Sequence, residues 1–200
     1  MVPREAAAQG VDYSILCSLQ QQRTPAMDKA MVWTSNSLVL VPAVPVAMMT
    51  AGWAADNDAL LHMGGSAGLS VLIAGGLTEG LKFCVRRPRP YLGYPDDLVP
   101  VKTTLGYSFP SGHTSLSFSL ATSLSLSCPK WYVVAPSLLW AAGVGFSRLY
   151  LGVHYPSDVL TGALVGVGSA LLAHYLSRRM WPETETPTSK AFVIPVVFTF

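Results

Sequence analysis

The chain has 200 residues, which is enough for one domain and too few for a second large one. Half of the residues are apolar and only 12% are Asp, Glu, Lys or Arg, about half the charged share of an ordinary soluble domain. The formal net charge of +2 offers little attraction to polyanions. These values exclude a disordered chain, argue against nucleic acid as a partner, and together with a mean hydropathy of +0.40 favour a membrane protein.

The N-terminal segment, residues 1–30, lacks the continuous apolar stretch of a secretory signal. Val11, Ile15, Leu16 and Leu19 are interleaved with polar residues, a pattern typical of an amphipathic helix. We predict a short helix that lies on the membrane surface, and the alternative is a frayed polar terminus.

The charged residues leave five long intervals empty, and these intervals predict membrane spans. Asp, Glu, Lys and Arg are absent from residues 30–55, 59–78, 103–129, 131–147 and 159–177. Because roughly 20 apolar residues cross the hydrocarbon core, and about 17 suffice at the lower end, each interval can hold a spanning helix. We therefore predict an all-α polytopic transmembrane bundle with about five spans, near 32–54, 59–81, 112–128, 131–147 and 159–177. The alternative is a soluble protein with buried core helices, but such helices rarely run so long without a charged face.

Residues 115–127 could also be a strand, because Ser and Leu alternate there with the period of a β-strand. A lone strand cannot satisfy its backbone polar groups in lipid, whereas a helix can. Small hydroxyl residues also suit close helix packing within membranes. We predict a helix for this segment.

The chain divides into three predicted parts. The amphipathic segment covers 1–30, a transmembrane domain covers 31–178, and residues 179–200 form a polar linker and a short apolar tail. The three cysteines are odd in number and widely scattered, so a disulfide framework is not expected.

Polar residues gather in three clusters, at 82–90, 109–113 and 147–158. If the five predicted helices alternate in direction, the connections 82–111 and 147–158 lie on the same membrane face. Charged groups next to a membrane domain are costly and usually functional. We therefore expect the three clusters to form one site.

The clusters contain the residue types that bind a phosphate. Lys82, Arg89 and Arg148 supply three cations, and guanidinium groups match phosphate oxygens in pairs. Ser111 and Gly112 stand at the start of a predicted helix, where backbone N–H groups favour an anion.

Two histidines accompany these residues. Asp158 follows His154 by four positions, one turn if the stretch is helical, and could fix its tautomer and raise its basicity. With His113, this set predicts covalent phosphoryl transfer, in which one histidine attacks and the other protonates the leaving oxygen. Simpler interpretations exist for each cluster: a juxtamembrane basic patch at 86–89, a helix cap at 110–112, and a structural His–Asp pair.

The three clusters resemble the signature of the phosphatidic acid phosphatase type 2 (PAP2) superfamily, K-x6-R-P, P-S-G-H and S-R-x5-H-x3-D. In this chain they are Lys82 with Arg89-Pro90, residues 110–113, and Ser147-Arg148 with His154 and Asp158. The resemblance covers residues 28–177 and implies a helix bundle with a PAP2/haloperoxidase-like core.

The resemblance also implies roles for individual residues. His154 would be the nucleophile that forms a phosphohistidine, Asp158 would orient it, and His113 would be the general acid. The phosphate would be held by Lys82, Arg89 and Arg148, aided by Ser111 and Gly112. The family's phosphatases use no metal ion or other cofactor, and Asp and Glu are too sparse in these clusters for a magnesium site.

The implied activity is that of a membrane lipid phosphatase. Its substrate would be a lipid phosphate monoester or diphosphate: an isoprenoid diphosphate, phosphatidylglycerol phosphate, phosphatidic acid or a lipid A phosphate. The alternatives are a lipid phosphotransferase that uses the same site and a non-enzymatic lipid-binding membrane protein. Oligomeric state is not indicated by the sequence.

Two observations bear on the orientation of the protein in the membrane, and they favour opposite sides for the site. Bacterial membrane members of the family usually have six spans and hold the site on the extracytoplasmic side of the inner membrane. We expect this chain to lack the first of the six spans. Of the 13 basic residues, nine lie on the predicted site face, which by the positive-inside rule favours a cytoplasmic site. We follow the resemblance and expect an extracytoplasmic site.

Overall fold

The computed structural model describes residues 5–180. Within this range the chain forms eight α-helices and one 3-10 helix, and no β-strand. The helices are α1 (Glu5–Gln21), α2 (Pro25–Asn36), the 3-10 helix (Ser37–Val39), α3 (Leu40–Ala54), α4 (Asp58–Val85), α5 (Pro90–Gly93), α6 (Gly112–Ser127), α7 (Trp131–Tyr150) and α8 (Pro156–Met180). The predicted linker and tail, apart from residues 179 and 180, lie outside the described residues.

Local signals in the sequence set the helix boundaries that matter for the site. Thr24 caps α2, since its hydroxyl oxygen accepts from the Met27 N–H at 3.3 Å and Pro25 opens the first turn. Asn57 caps α4 in the same way. At its other end α4 stops at Arg86, whose φ of 51° is left-handed, and Pro88 prevents the helix from continuing. The chain therefore leaves α4 at the first polar cluster.

All five predicted spans are helical, and the alternating Ser-Leu segment is part of helix α6. Three segments among residues 5–180 are long and apolar enough to cross a membrane: Pro25–Ala54, Asp58–Gly93 and Pro156–Met180. Helix α6 has only 16 residues, and α7 carries Arg148 in its last turn. The chain is thus an all-α bundle with membrane-spanning helices, and the count of five spans stays a prediction.

The bundle has apolar side chains outside and hydroxyl groups inside. Leu72, Leu139 and Leu164 are 74%, 73% and 65% exposed on the outer surface. Inside, the hydroxyl of Thr78 on α4 donates to that of Ser115 on α6 at 2.8 Å, and two further buried serines, Ser70 and Ser119, pair in the same way. An apolar exterior of this kind suits lipid, and interior hydroxyl pairs between helices are typical of membrane bundles.

Helices α6 and α8 approach each other closely because α8 carries glycine at the contact. A Cβ atom on Gly162 would lie 2.6 Å from the backbone oxygen of Ser111, and one on Gly166 would collide with the backbone oxygen of Ser115. The contact joins the starts of the two helices, where the Ser111 N–H donates to the backbone oxygen of Asp158 at 3.0 Å. This packing brings the second and third polar clusters together.

Helix α1 covers the same end of the bundle. Its Leu16 is buried with Leu98 and Tyr155, and the Tyr13 ring lies 4.6 Å from that of Tyr94. The helix predicted in the N-terminal segment is therefore present, and Val11 stays 62% exposed on its outer side. Its placement on the membrane surface remains a prediction.

Candidate active site

His154 lies in the short turn between α7 and α8. Gly152 permits this turn, since its φ of +73° is in the left-handed region that favours glycine. The turn carries the His154 side chain inward, where it is 2% exposed.

The partners of the His154 ring fix its tautomer. Nδ1 lies 2.7 Å from the backbone oxygen of Ser108, which can only accept, so Nδ1 carries the proton. Nε2 lies 3.3 Å from Nη1 of Arg89, which can only donate. The lone pair of Nε2 therefore points toward the guanidinium of Arg89.

The surroundings of His154 keep its ring neutral. Burial lowers the pKa of His154 to about 4, and the positive charges of Arg148 and Arg89 act in the same direction against the opposing effect of Asp158. At neutral pH the ring is therefore uncharged, and its Nε2 carries a lone pair.

Asp158, at the start of α8, contacts His154 less directly than its spacing suggests. Its Oδ2 lies 3.6 Å from Nδ1 of His154, longer than a hydrogen bond, and instead accepts from the Tyr155 N–H at 2.9 Å. Its Oδ1 accepts from Nη1 of Arg87 at 2.7 Å. The hydrogen bond to Nδ1 thus comes from the Ser108 carbonyl, and Asp158 acts on the ring through its charge.

Arg89 is held rigidly at the site. Its Nε and Nη2 donate to the backbone oxygens of Gly106 and Leu105 at 3.0 and 2.8 Å, and Nη1 donates to that of Val153 at 2.9 Å. Arg89 lies just beyond the end of α4 and is only 4% exposed. Its position next to Nε2 of His154 is therefore fixed by the backbone of the surrounding loops.

Arg148, near the end of α7, lies on the other side of the site. Its Nη1 donates to the hydroxyl of Ser35 on α2 at 2.5 Å. Its Nε is buried and makes no hydrogen bond to any described residue. A buried guanidinium nitrogen without a partner is costly, and an anion in the site would satisfy it.

Lys82 and the first turn of α6 meet at the same place. A Cβ atom on Gly112 would lie 3.5 Å from Nζ of Lys82, so the ammonium group lies against the glycine backbone. Nζ also pairs with Glu79 at 2.7 Å. Ser111 is the N-cap residue of the helix and accepts a hydrogen bond from the Thr114 hydroxyl at 2.9 Å. The first turn of a helix presents backbone N–H groups to anions.

His113 lines a cavity of about 170 Å³ together with Arg148. The remaining wall is formed by Val32, Ser35, Asn36, Lys102, Thr104, Leu151 and Val153. His113 and Arg148 therefore face the same cavity, whose wall includes residues of α2 and of the loop before α6.

The structure thus brings together all eight residues that the sequence singled out. It also adds four residues that the motifs did not select: Asp12, Ser35, Arg87 and Ser108. Arg87 was open to interpretation as part of a basic patch, but it pairs with Asp158 and with Asp12 on α1. For Ser35 and Asp12, no motif or spacing in the sequence signals the contact.

The family model described as PAP2 superfamily matches residues 64–182. The match covers more than half of the chain and includes all three polar clusters. The chain belongs to the PAP2 superfamily.

Several curated proteins are similar over the region of the site. A lipid A 4′-phosphatase from Bacteroides thetaiotaomicron is 40% identical over 86 residues, which are 41% of this chain and 38% of that protein. An undecaprenyl-diphosphatase from Sulfolobus acidocaldarius is 38% identical over 99 residues, 49% of this chain and 47% of that protein. Phosphatidylglycerophosphatase B from Escherichia coli is 37% identical over 88 residues, 42% of this chain and 35% of that protein. The match spans less than half the length of each of these relatives.

Two solved structures share the fold. LpxE from Aquifex aeolicus superposes with a TM-score of 0.67 at 24% identity, over 81% of this chain and 93% of that one. A transmembrane PAP2-type phosphatidylglycerolphosphate phosphatase from Bacillus subtilis superposes with a TM-score of 0.65 at 25% identity, over 87% and 88% of the two chains. The helical arrangement described above is therefore one that membrane PAP2 proteins adopt.

Proposed function

We propose that the protein is a membrane phosphatase that hydrolyses a lipid phosphate monoester or diphosphate through a phosphohistidine at His154, without a metal ion. The observation that carries the proposal is the pair of contacts on the His154 ring. Nδ1–H is held by the Ser108 carbonyl at 2.7 Å, and Nε2 is turned toward Arg89 at 3.3 Å. A neutral imidazole whose unprotonated Nε2 faces a phosphate-binding cation is placed to attack a phosphate held by that cation.

The first half of the reaction transfers the phosphoryl group to His154. Nε2 attacks phosphorus, a P–N bond forms, and the P–O bond to the lipid breaks. His113 donates a proton to the departing oxygen, which leaves as an alcohol or as a lipid monophosphate. Lys82, Arg89 and Arg148 stabilise the charge on the phosphoryl oxygens.

The second half returns the enzyme to its starting state. Water attacks phosphorus while His113 takes up its proton, the P–N bond breaks, and inorganic phosphate leaves. Asp158 steadies the positive charge that the His154 ring carries while phosphorus is attached. Its oxygens are already engaged by Arg87 and the Tyr155 N–H, which supports a role in charge stabilisation rather than as a metal ligand.

The substrate class follows from the position of the site and from the relatives. The site lies at the end of the bundle, where a phosphate headgroup would sit while its chains stay in lipid. The relatives are named for lipid A, undecaprenyl diphosphate and phosphatidylglycerol phosphate. We place the protein in the bacterial inner membrane with the site on the extracytoplasmic face.

The test is phosphate release by detergent-purified protein from a panel of lipid monophosphates and diphosphates, with excess EDTA present. We expect release that EDTA does not reduce and that His154→Ala abolishes. Release that requires a divalent ion, or that persists in His154→Ala within about tenfold, would contradict the proposal. Adding a short alcohol as acceptor separates hydrolysis from phosphotransfer, since a transferase would form the alkyl phosphate.

A further inference from the structure

A second network of charges lies behind Asp158, on the side away from the phosphate cations. Arg87 donates from Nη1 to Oδ1 of Asp158 and to the Ser157 hydroxyl, both at 2.7 Å, and from Nη2 to Oδ2 of Asp12 at 3.0 Å. Oδ1 of Asp12 in turn accepts from the Ser157 backbone N–H at 3.1 Å. The network joins α1, the end of α4 and the start of α8.

The guanidinium of Arg87 is held from several sides within this network. Besides its two carboxylate partners, it lies over the Tyr155 ring, 3.8 Å from the ring centroid. Burial alone would lower the pKa of Arg87, but Asp158 and Asp12 outweigh that effect and raise it. Arg87 is therefore a fixed positive charge that faces Asp158 and not the phosphate.

Asp158 is the link between this network and the reacting histidine. Its side chain is completely buried, and its Oδ2 lies 3.6 Å from Nδ1 of His154. The other charged or titratable groups that act on His154 are Arg89 after α4, Arg148 on α7 and His113 on α6. Among these groups Asp158 alone carries a negative charge, so it alone opposes the burial and the cations that hold the ring neutral.

We propose that Arg87 and Asp12 are positioning residues that set how much of the Asp158 negative charge acts on His154. Arg87 neutralises part of the carboxylate and keeps the free imidazole uncharged. Asp12 holds Arg87 in place and balances its charge from α1. This inference rests on the proposed function of His154 as the nucleophile.

Helix α1 directs Asp12 toward this network. Asp12 is 6% exposed and faces the network, whereas its neighbour Val11 is 62% exposed. Leu16, one turn after Asp12, is buried in the same docking contact. The helix therefore directs Asp12 and Leu16 inward and Val11 outward, and it is part of the site although it precedes the matched family region.

The test compares the acid limb of the pH dependence of kcat/KM in variants of Arg87 with a matched control. Arg87→Gln removes the cation facing Asp158, so the pKa of His154 rises and the acid limb moves up by about one pH unit. Arg86→Gln makes the same change of charge at the neighbouring exposed residue, and its limb stays in place. Substrate ionisation is common to all variants and cancels in the comparison.

Two more variants separate charge from packing. The double variant Asp12→Asn with Arg87→Gln removes both charges together, leaves no unpaired carboxylate at position 12, and should shift the limb upward as well. Arg87→Lys keeps the charge and should leave the limb near its original position. An unshifted limb in both Arg87→Gln and the double variant, or equal shifts in Arg87→Lys and Arg87→Gln, would overturn the proposal.

An activity-independent measurement separates this proposal from the proposed function. NMR of ¹⁵N-histidine-labelled protein, with His154 assigned by its loss in His154→Gln, reports the ring titration directly. We expect the same upward shift in Arg87→Gln, and none in Arg86→Gln, even if no lipid phosphate is hydrolysed. Ring titrations that coincide in the two variants would overturn the inference, whether or not the enzyme is active.

Discussion

The Nδ1 atom of His154 lies 2.7 Å from the backbone oxygen of Ser108, and this hydrogen bond ties the turn before α8 to the loop before α6. Ser108 is fixed in its turn, since its N–H and hydroxyl donate to backbone oxygens just beyond the end of α4. The orientation of the His154 ring is thus set by backbone geometry that joins the three polar clusters.

On the acid side of the pH profile, where protonation of His154 limits the reaction, the rate should fall only at distinctly acid pH. Because the pKa of His154 is lowered to about 4, the ring stays neutral well below pH 6. We expect kcat/KM, corrected for ionisation of the substrate, to hold until about pH 5 and to fall below it. A limb near pH 6.5, the value of an exposed histidine, would contradict the buried nucleophile.

The same burial couples the stability of the fold to pH. The unfolded state binds a proton at His154 near pH 6.5, whereas the folded state does so only near pH 4, so lowering the pH through this window favours unfolding. The contribution lost is at most about 3 kcal/mol. Thermal unfolding in detergent between pH 7 and 4 should therefore depend on pH less steeply in His154→Gln than in the parent protein. Parallel curves would show that His154 does not titrate with folding.

Arg148 should not tolerate lysine. Its Nη1 contacts Ser35 while its Nε has no partner among the described residues, and an ammonium group cannot serve both positions. We expect Arg148→Lys to lower kcat/KM by about 10²-fold, comparable to the loss of one transition-state donor. Arg178→Lys, in the last turn of α8, is the control and should be unchanged. Equal activity of the two variants would remove Arg148 from the phosphate contacts.

His113 can be tested through the leaving group. If it protonates the departing oxygen, His113→Gln should slow alkyl phosphate hydrolysis by about 10²- to 10⁴-fold. The hydrolysis of nitrophenyl phosphate, whose leaving group needs no proton, should be slowed far less by the same substitution. A uniform loss on both substrates would instead indicate a role in binding or folding.

The contact between α6 and α8 should depend on Gly166. A Cβ atom there would collide with the backbone of Ser115 and lie 2.8 Å from the backbone nitrogen of Ser119. Gly166→Ala should therefore destabilise the folded protein by about 1–3 kcal/mol. A Cβ atom on Gly168, half a turn further along α8, would have no neighbouring atom within 4 Å, and Gly168→Ala should be neutral or stabilising. Thermal unfolding in detergent compares the two variants, and equal stability of Gly166→Ala and Gly168→Ala would contradict a close contact at Gly166.

The sequence alone was sufficient to predict the helices and to single out the residues of the three motifs. Charge-free intervals predicted five membrane spans, because a bilayer demands both length and apolarity. Each predicted span is helical in the structure, the first as α2, the 3-10 helix and α3, and the number of spans stays a prediction. The alternating directions of the predicted helices placed the connections 82–111 and 147–158 on one membrane face, and this predicted a shared site.

Other contacts could not be read from the sequence. Ser108 acts through its backbone oxygen, to which any residue could contribute. Asp12 lies 145 residues from Ser157, and neither spacing nor periodicity relates positions so far apart. The exact partner of Nδ1 also depends on a difference of about one ångström between the distances to Ser108 and to Asp158, which follows from tertiary packing.

The most direct test of the central claim is to trap the phosphorylated intermediate. Protein mixed with a ³²P-labelled lipid phosphate is quenched in alkali within milliseconds, and the label is mapped by proteolysis and mass spectrometry. We expect an alkali-stable, acid-labile phosphoryl group on His154, and no such group in His154→Ala. In His113→Gln, where the attack of water is slowed, the phosphoryl group should accumulate when nitrophenyl phosphate is the substrate. Label on another residue, or phosphate release in a single turnover without any labelled protein, would contradict a phosphohistidine at His154.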